Sequence, residues 1–520
     1  MMKQDNDRLT LLVIAGLVLY GTFLILLPLF VYAPGTPLGT QFALPIPTGT
    51  PTVEWWVILY VIAQILYLGA FTTVFWFLSL KVNWVDSSKV SQLTPGQMPL
   101  IVLAYPVLHE DEDTMHSTML ALSRMDYPPD KYRVIAIPNS HDTATIAALR
   151  RLQTEFPFLE ILEVPPTDDP SWNTVWRSWE TCPYAYWWHQ GKTQNVTDLP
   201  AKKTRQLIYL FYTLVDRMGT DWVLDYIDAD SLTPPNHFKL AAVGLQQYDV
   251  LQSTNVVGNL LDTFSTSLHA SDHMGWDGYL YPHMSANGKH PYYVLGKGLF
   301  YKAGDLYTIG GFNPWIAIED PEVGIRLWSH GKRLGIIAEP LIEESPQHFF
   351  MGGIVQRNRW MLGFFQTMNS SLKYIKLNFW QRQRARLNMV PVLSFLVNII
   401  GLPTGAYALY RFIEGTGVFS LWIVVLSLIN ILLYVSFMTL LYRNVWRRTR
   451  YVLQKRRDRA FYLLRINPIS LFVYWFLWCI PIIIGFSMFI ADKGKSWART
   501  HKVDANHEIA ERPVYPSPVS

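Results

Sequence analysis

Asp228-Ala229-Asp230-Ser231 follows directly on an apolar run, residues 222–227, and sets two carboxylates one residue apart. Side chains so spaced can hold a hard divalent ion such as Mg²⁺ or Mn²⁺ and bridge it to phosphate oxygens. Glu319-Asp320 comes later, just before Pro321, whose fixed φ suits the first turn of a helix. The two acids therefore read as the cap of a helix running on to Trp328. Gln356-Arg357-Asn358-Arg359-Trp360 then joins guanidinium groups to an indole. The former pair bidentately with a diphosphate, and the latter offers a flat face to a sugar ring. Displacing a diphosphate makes two demands: the leaving charge must be neutralised and the attacking hydroxyl must lose its proton. Acids and guanidinium groups of this kind can meet both.

Such groups need a rigid scaffold, and the stretch from residue 82 to about 385 has the pattern of one. Residues 99–105, 132–137, 159–164 and 222–227 are apolar runs of strand length, with helical periodicity at 114–124 and 146–156 between them. The alternation predicts an α/β domain whose Rossmann-like, mostly parallel sheet is covered by helices on both faces. Ligands in such folds sit at the carboxyl ends of the strands, where Asp228 to Ser231 falls.

The chain has 520 residues, 50% hydrophobic and only 16% charged. A soluble chain carries about a quarter charged residues, and here the deficit is local. Residues 9–33, 55–80, 389–410, 418–442 and 469–490 each reach the ~20 apolar residues that cross a hydrocarbon core. The first is too long for a signal peptide and reads as a retained anchor. Lys3 and Arg8 precede it, Lys81 follows the second run, and residues 34–54 between them hold no Lys or Arg. Both flanks and the domain after them therefore read as cytosolic. Residues 372–387, basic and carrying Tyr374, Phe379 and Trp380, read as an amphipathic helix in the membrane interface. The expected organisation is two spans in 1–81, a catalytic domain in 82–370, the interface helix in 371–387, further spans in 388–492 and a polar tail in 493–520. Five simple spans would put the tail outside, although its basic residues favour the inside. A re-entrant segment broken at Pro481 would reconcile the two. The net charge of +4 is too small to argue for nucleic acid. Cys182 and Cys479 are too far apart in sequence for a disulfide framework or a zinc site of normal spacing.

An Asp-x-Asp at a strand end, a later acid and a Gln-x-x-Arg-Trp box, in this order among membrane spans, resemble the membrane-bound family 2 glycosyltransferases. Cellulose, hyaluronan and chitin synthases and ceramide glucosyltransferase belong to that group. The resemblance is good over residues 95–375 and looser over the C-terminal spans. It implies a GT-A domain and an inverting transfer from a nucleotide sugar. Asp230 would ligate Mg²⁺ or Mn²⁺ directly, and Asp228 would contact the nucleotide or the metal. Asp320 would be the general base, in a triplet that reads Ile318-Glu319-Asp320 here and Thr-Glu-Asp in the family; a cap and a base are not exclusive. Gln356, Arg357 and Arg359 would hold the donor, Arg359 at its pyrophosphate, while Glu319 and Trp360 line the acceptor site. Glu110 closes Pro106-Val107-Leu108-His109-Glu110, in the place of the family's Pro-x-Tyr-Asn-Glu. The family's Asp-Asp-Gly-Ser is replaced by Ile137-Pro138-Asn139-Ser140-His141-Asp142, so Asn139 or Asp142 stands in for the base-contacting carboxylate. Lys203 resembles the lysine that approaches the nucleotide, and Gly298 belongs to a Gly296-Lys297-Gly298 turn like the one beneath the sugar. Trp497 to Lys502 resembles a Trp-x-x-Thr-x-Arg/Lys element and would put the tail in the cytosol.

Gln-x-x-Arg-Trp is common in chain-extending members. The expected activity is therefore extension of a polysaccharide from a nucleotide sugar, UDP-linked by preference, with the C-terminal spans lining an exit path. The alternative is a single transfer to a membrane lipid, because ceramide glucosyltransferase carries a similar Arg-Trp box. A non-enzymatic scaffold or transporter has only the altered Asn139 segment in its favour. The expected partners are a nucleotide-sugar donor, a glycan or lipid acceptor and membrane lipids, with no nucleic acid; oligomeric state has no signature here. The expected location is a plasma or bacterial inner membrane, with the active site in the cytosol. Residues 171–191 carry Trp172, Trp176, Trp179, Trp187 and Trp188, suited to a sugar platform, a partner surface, a membrane-resting loop or an insertion packed on its own domain. His269, Asp272 and His273 lie close in sequence at no convincing ligand spacing and read as ordinary packing.

Overall fold

The computed structural model describes residues 55–375, 377–414, 421–492 and 503–512. The span expected at 9–33 and the element at 497–502 lie outside them. The sheet has seven strands: β1 (Ile101–Tyr105), β2 (Tyr132–Ala136), β3 (Leu159–Ile161), β4 (Val223–Tyr226), β5 (Val250–Val257), β6 (Leu299–Lys302) and β7 (Leu334–Glu343). Their order is β3-β2-β1-β4-β6-β5-β7. β1 is buried at every residue, as a central parallel strand must be. It pairs in parallel with β2 and β4, Ile101 opposite both Tyr132 and Val223. β6 runs antiparallel to β4 and β5, so the sheet is mixed at that point and parallel elsewhere.

Helices that frame the sheet, the site and the apolar region are, in chain order, α1 (Trp55–Leu78), α2 (Glu112–Leu122), α3 (Thr143–Glu155), α4 (Lys203–Met218), α5 (Phe264–Asp272), α6 (Asp320–Ser329) and α7 (Val355–Tyr374). After them come α8 (Phe379–Leu387), α9 (Asn398–Ile413), α10 (Leu421–Arg448), α11 (Arg456–Arg465), α12 (Pro468–Leu477) and α13 (Cys479–Ile490). α2 and α3 cover one face of the sheet with Met115, Met119, Leu149 and Leu152. α4 covers the other with Leu207, Leu210 and Phe211. The order reverses at β1, between β2 and β4, which opens a crevice at the carboxyl ends of those three strands.

The tryptophan-rich segment belongs to the core beneath α4. Trp172, Trp179, Trp187 and Trp188 are buried, and the rings of Trp176 and Trp188 stack 5.4 Å apart. Trp179 Nε1 donates to Tyr212 Oη on α4 at 3.0 Å. Of the readings open to it, the segment takes that of an insertion on its own domain. The stretch 372–387 is also not one helix. Asn378 and Gln381 form a capping box that starts α8 afresh. Phe379 and Trp380 at its head are 64% and 72% exposed.

Among the described residues, four helical stretches are long and apolar enough to cross a membrane: Trp55–Leu78, Val390–Ile413, Leu421–Tyr451 and Pro468–Ile490. The residues described on either side of the last one both contact the domain that carries the sheet. Before it, Arg465 Nη1 donates to the carbonyls of Leu261 and Thr263 at 2.9 and 3.1 Å. After it, the backbone N–H groups of Val503 and Ala505 both donate to the Glu344 carboxylate. Within it, the helix breaks between Leu477 and Cys479, and α13 lies along α7, where a Cβ on Gly485 would stand 2.6 Å from that of Met361. On these contacts we propose that the segment returns instead of crossing. Single cysteines at Glu511 and Glu155, in a chain freed of Cys182 and Cys479, should therefore react with an impermeant maleimide from the same side. Opposite reactivity would restore a full crossing.

Candidate active site

Lys203, the first residue of α4, spans the crevice. Its Nζ donates to Asp228 Oδ1 at 2.6 Å and to the Gly296 carbonyl at 2.8 Å, above the Tyr226 ring. The turn that carries Asp228 is pinned, because the Ala229 carbonyl accepts from Tyr105 Oη and Thr118 Oγ1 at 2.7 and 2.8 Å. Its two acids differ in exposure. The Asp228 side chain is 41% exposed, whereas Asp230 is 3% exposed and its Oδ2 accepts the Glu344 N–H at 2.8 Å. Burial would lower the affinity of Lys203 for its proton; Asp228 and Glu319 outweigh it and hold the ammonium above its ordinary value.

Asp320 opens α6 and is 8% exposed. Its carboxylate rests on the backbone of Gly296, where a Cβ would approach to 3.2 Å. Burial first, then the charge of Glu319, push Asp320 well above the usual carboxylate range, with Lys203 opposing. A carboxylate so shifted is better matched to accepting a proton near neutrality. The helix beneath it is locked. Arg326 Nε donates to Glu322 at 2.6 Å, and its Nη atoms donate to the carbonyls of Ile309 and Gly311 at 2.5 and 2.6 Å. Thr204 Oγ1 reaches Glu319 at 3.3 Å. Arg359 lies under the combined field of Asp228, Glu319 and Asp320. Lys202 is drawn in as well: burial brings it down to about 8, with Glu319 opposing and Arg359 assisting. Three cations, Lys202, Lys203 and Arg359, thus face three acids at the mouth of the crevice.

Other expected residues sit further out. Arg357 is buried and committed to Asp272, with Nη2 and Nε at 2.5 and 3.0 Å from Oδ2, so Arg359 and not Arg357 joins the acids. Gln356 Oε1 is buried without a partner among the described residues. Asn139 accepts Arg205 Nη2 at 2.6 Å, while Asp142 caps α3 and accepts the His109 N–H at 2.7 Å. Hydrogen bonds from His109 and Thr145 overcome burial and hold Asp142 below its ordinary value. Glu110 is half-buried in the loop after β1, near Tyr105. Gly298 has φ +59°, and a Cβ on it would meet Leu341 at 2.7 Å; the glycine that touches Asp320 is Gly296. His269 and Asp272 meet on Tyr474, whose hydroxyl bonds to both, and Asp272 also holds Arg357, while His273 bonds to Asp277.

Residues 222–490 match the family described as glycosyl transferase family group 2. The chain belongs to this family. It is 31% identical over 93 residues to a probable glycosyltransferase of Sulfolobus acidocaldarius, covering 17% of this chain and 20% of that one. It is 21% identical over 300 residues to a β-monoglucosyldiacylglycerol synthase of Synechocystis, covering 57% and 53%. The chain thus spans about a fifth and about half of the length of these curated relatives. A mannosyltransferase of Pyrobaculum calidifontis, solved with GDP-mannose and Mn²⁺, superposes with a TM-score of 0.49 at 14% identity, covering 84% of this chain and 98% of that one.

In this glycosyltransferase a cavity of about 820 Å³ leads away from Gly296, Asp320 and Trp360. It runs between the apolar helices, with Phe71, Val74, Leu402, Ile431, Phe437 and Trp475 on its walls. Polar side chains along the way bond to one another: Tyr60 with Ser427 at 2.7 Å, Tyr67 with Asn398 at 2.7 Å and Asn430 with Gln64 at 2.8 Å. Periodicity carried no signal for this cavity, because residues that face a cavity and residues that face a neighbouring helix are equally apolar. Lys202 lay one residue from the lysine that stood out and had no pattern of its own.

Proposed function

We propose an inverting hexosyltransferase that moves a sugar from a nucleotide diphosphate to a hydroxyl of a membrane lipid. The observation that carries this reading is the apolar cavity that starts at Asp320 and runs among the membrane helices. An acceptor whose chains lie there presents its headgroup at the general base. Asp320 takes the proton of the acceptor hydroxyl, and the oxygen attacks the anomeric carbon from the face opposite the diphosphate. The bond to the diphosphate breaks as the new one forms, which inverts the centre. Arg359, Lys202 and Lys203 neutralise the departing charge.

Asp228 and Asp230 fit Mg²⁺ or Mn²⁺: they stand on a pinned turn, and Lys203 already sets a positive charge against Asp228. Among the described residues no group of three possible ligands converges, so phosphate oxygens and water would have to complete the coordination. Such an ion would add Lewis-acid neutralisation of the diphosphate. The Lys and Arg distribution supports a cytosolic catalytic domain.

Extension of a polysaccharide is the second reading. The observation in its favour is that Phe395 and Trp475, stacked on each other at 5.9 Å, both line the cavity and bring aromatic surface to it. Detergent-purified protein given Mn²⁺ or Mg²⁺, UDP- and GDP-sugars and lipid acceptors separates the two. One glycolipid product supports the lipid reading, a ladder of oligomers supports extension, and no release with any donor sinks both. Leu402→Trp, which fills the cavity, should cut lipid-dependent turnover about tenfold while nucleotide binding by calorimetry stays constant, a tenfold change being about 1.4 kcal/mol. Unimpaired turnover would show that the acceptor enters elsewhere.

A further inference from the structure

The polar end of the cavity holds more than the general base. Asp272, His273, Asp277 and Lys297 line it beside Asp320 and Trp360. Most of these groups are engaged: Asp272 by Arg357 and Tyr474, Lys297 by Glu343, Asp277 by His273. Two functions stay open. The Asp320 side chain has no hydrogen bond to another residue among the described residues, and neither has Nε2 of His273.

His273 stands at the start of a π-helical turn, His273–Leu280, and its ring meets that of Trp360 edge-on at 6.1 Å. Asp277 Oδ2 lies 2.7 Å from its Nδ1. A carboxylate can only accept, so Nδ1 carries the proton. Lys297 Nζ lies further off, at 3.5 Å, and is held by Glu343, so it does not compete for that nitrogen. Burial first, then Lys297, hold the imidazole below its ordinary value, against the pull of Asp277. The ring is therefore neutral at pH 7, with a bare lone pair on Nε2 in the cavity that Asp320 lines.

A lone pair there asks for a donor. The reacting hydroxyl has one proton, and that proton goes to Asp320. It cannot serve His273 at the same time. We propose that His273 Nε2 accepts a hydrogen bond from a second hydroxyl of the acceptor, so that the acceptor is a lipid whose headgroup is a polyol or a sugar. This rests on the lipid reading above and sharpens it: a lipid with a single alcohol would satisfy Asp320 and leave His273 unmet.

Three acceptors test it with the full-length protein in detergent: a diacylglycerol, the same lipid with a hexose headgroup, and a free oligosaccharide. The native protein should prefer the hexose lipid to the diacylglycerol about tenfold in kcat/KM, the worth of one net hydrogen bond. In His273→Ala this ratio should fall to about one. His273→Gln, whose amide oxygen accepts, should recover part of it. Calorimetry with UDP or GDP and Mn²⁺ reports whether each variant is folded with an intact donor site. Equal use of the two lipids by the native protein, or a preference that His273→Ala leaves in place, overturns the role of His273. Use of the oligosaccharide alone overturns instead the lipid reading beneath it.

Discussion

Asp320→Asn should bind nucleotide and cation as the native protein does and lose transfer by about a thousandfold, within the range a positioned base contributes. That is about 4 kcal/mol of barrier. The amide is isosteric, so it keeps the contact with Gly296 and the start of α6. What it loses is the capacity to take the acceptor proton. Stability should move the other way. Burial and Glu319 raise the proton affinity of Asp320 in the folded state, so the stability contributed by this group is present at low pH and lost as pH rises through the folded value. Above that value the native protein holds an unfavourable buried charge that the amide lacks. Thermal unfolding at pH 8 should therefore give a Tm for Asp320→Asn at least equal to that of the native protein, while release of nucleotide from the donor sugar stops. A variant that still turns over at more than a tenth of the native rate would assign the base elsewhere.

The sheet was legible because parallel strands buried on both faces are written as continuous apolar runs. Residues 99–105, 132–137 and 222–227 became β1, β2 and β4 within two residues at each end. β6 was not legible, since an antiparallel strand of four residues inserted between β4 and β5 has no run long enough to stand out. Asp228, Glu319, Asp320 and Arg359 were brought to one crevice from three separate segments, as their residue types suggested. Arg357 shows the limit of reading a box as a unit. Two positions apart on α7, Arg357 and Arg359 point to different partners, one to Asp272 and one to the acids, and helical geometry alone separates them. The contacts of the tail with Glu344 join residues some 160 positions apart. Hydropathy cannot see such a contact, so counting apolar runs alone left the side of the tail open.

Asp230→Asn should weaken Mn²⁺ binding more than tenfold and lower turnover by about a thousandfold, because a hard cation at a departing diphosphate is worth several kcal/mol. The asparagine is the right variant for a structural reason. Its side-chain oxygen can still accept the Glu344 N–H that Asp230 holds at 2.8 Å. The segment after β7, and with it the carboxylate that grips Val503 and Ala505, then keeps its anchor. Only the charge is removed. An alanine would take away the charge and the anchor together, and a loss of activity could not be divided between them. Mn²⁺ titration followed by electron paramagnetic resonance, with and without UDP or GDP, reads the cation directly. An unchanged Mn²⁺ affinity in Asp230→Asn would remove Asp230 from the cation site. Neutralising the diphosphate would then fall to Lys202, Lys203 and Arg359, the three cations that already face the acids of the crevice.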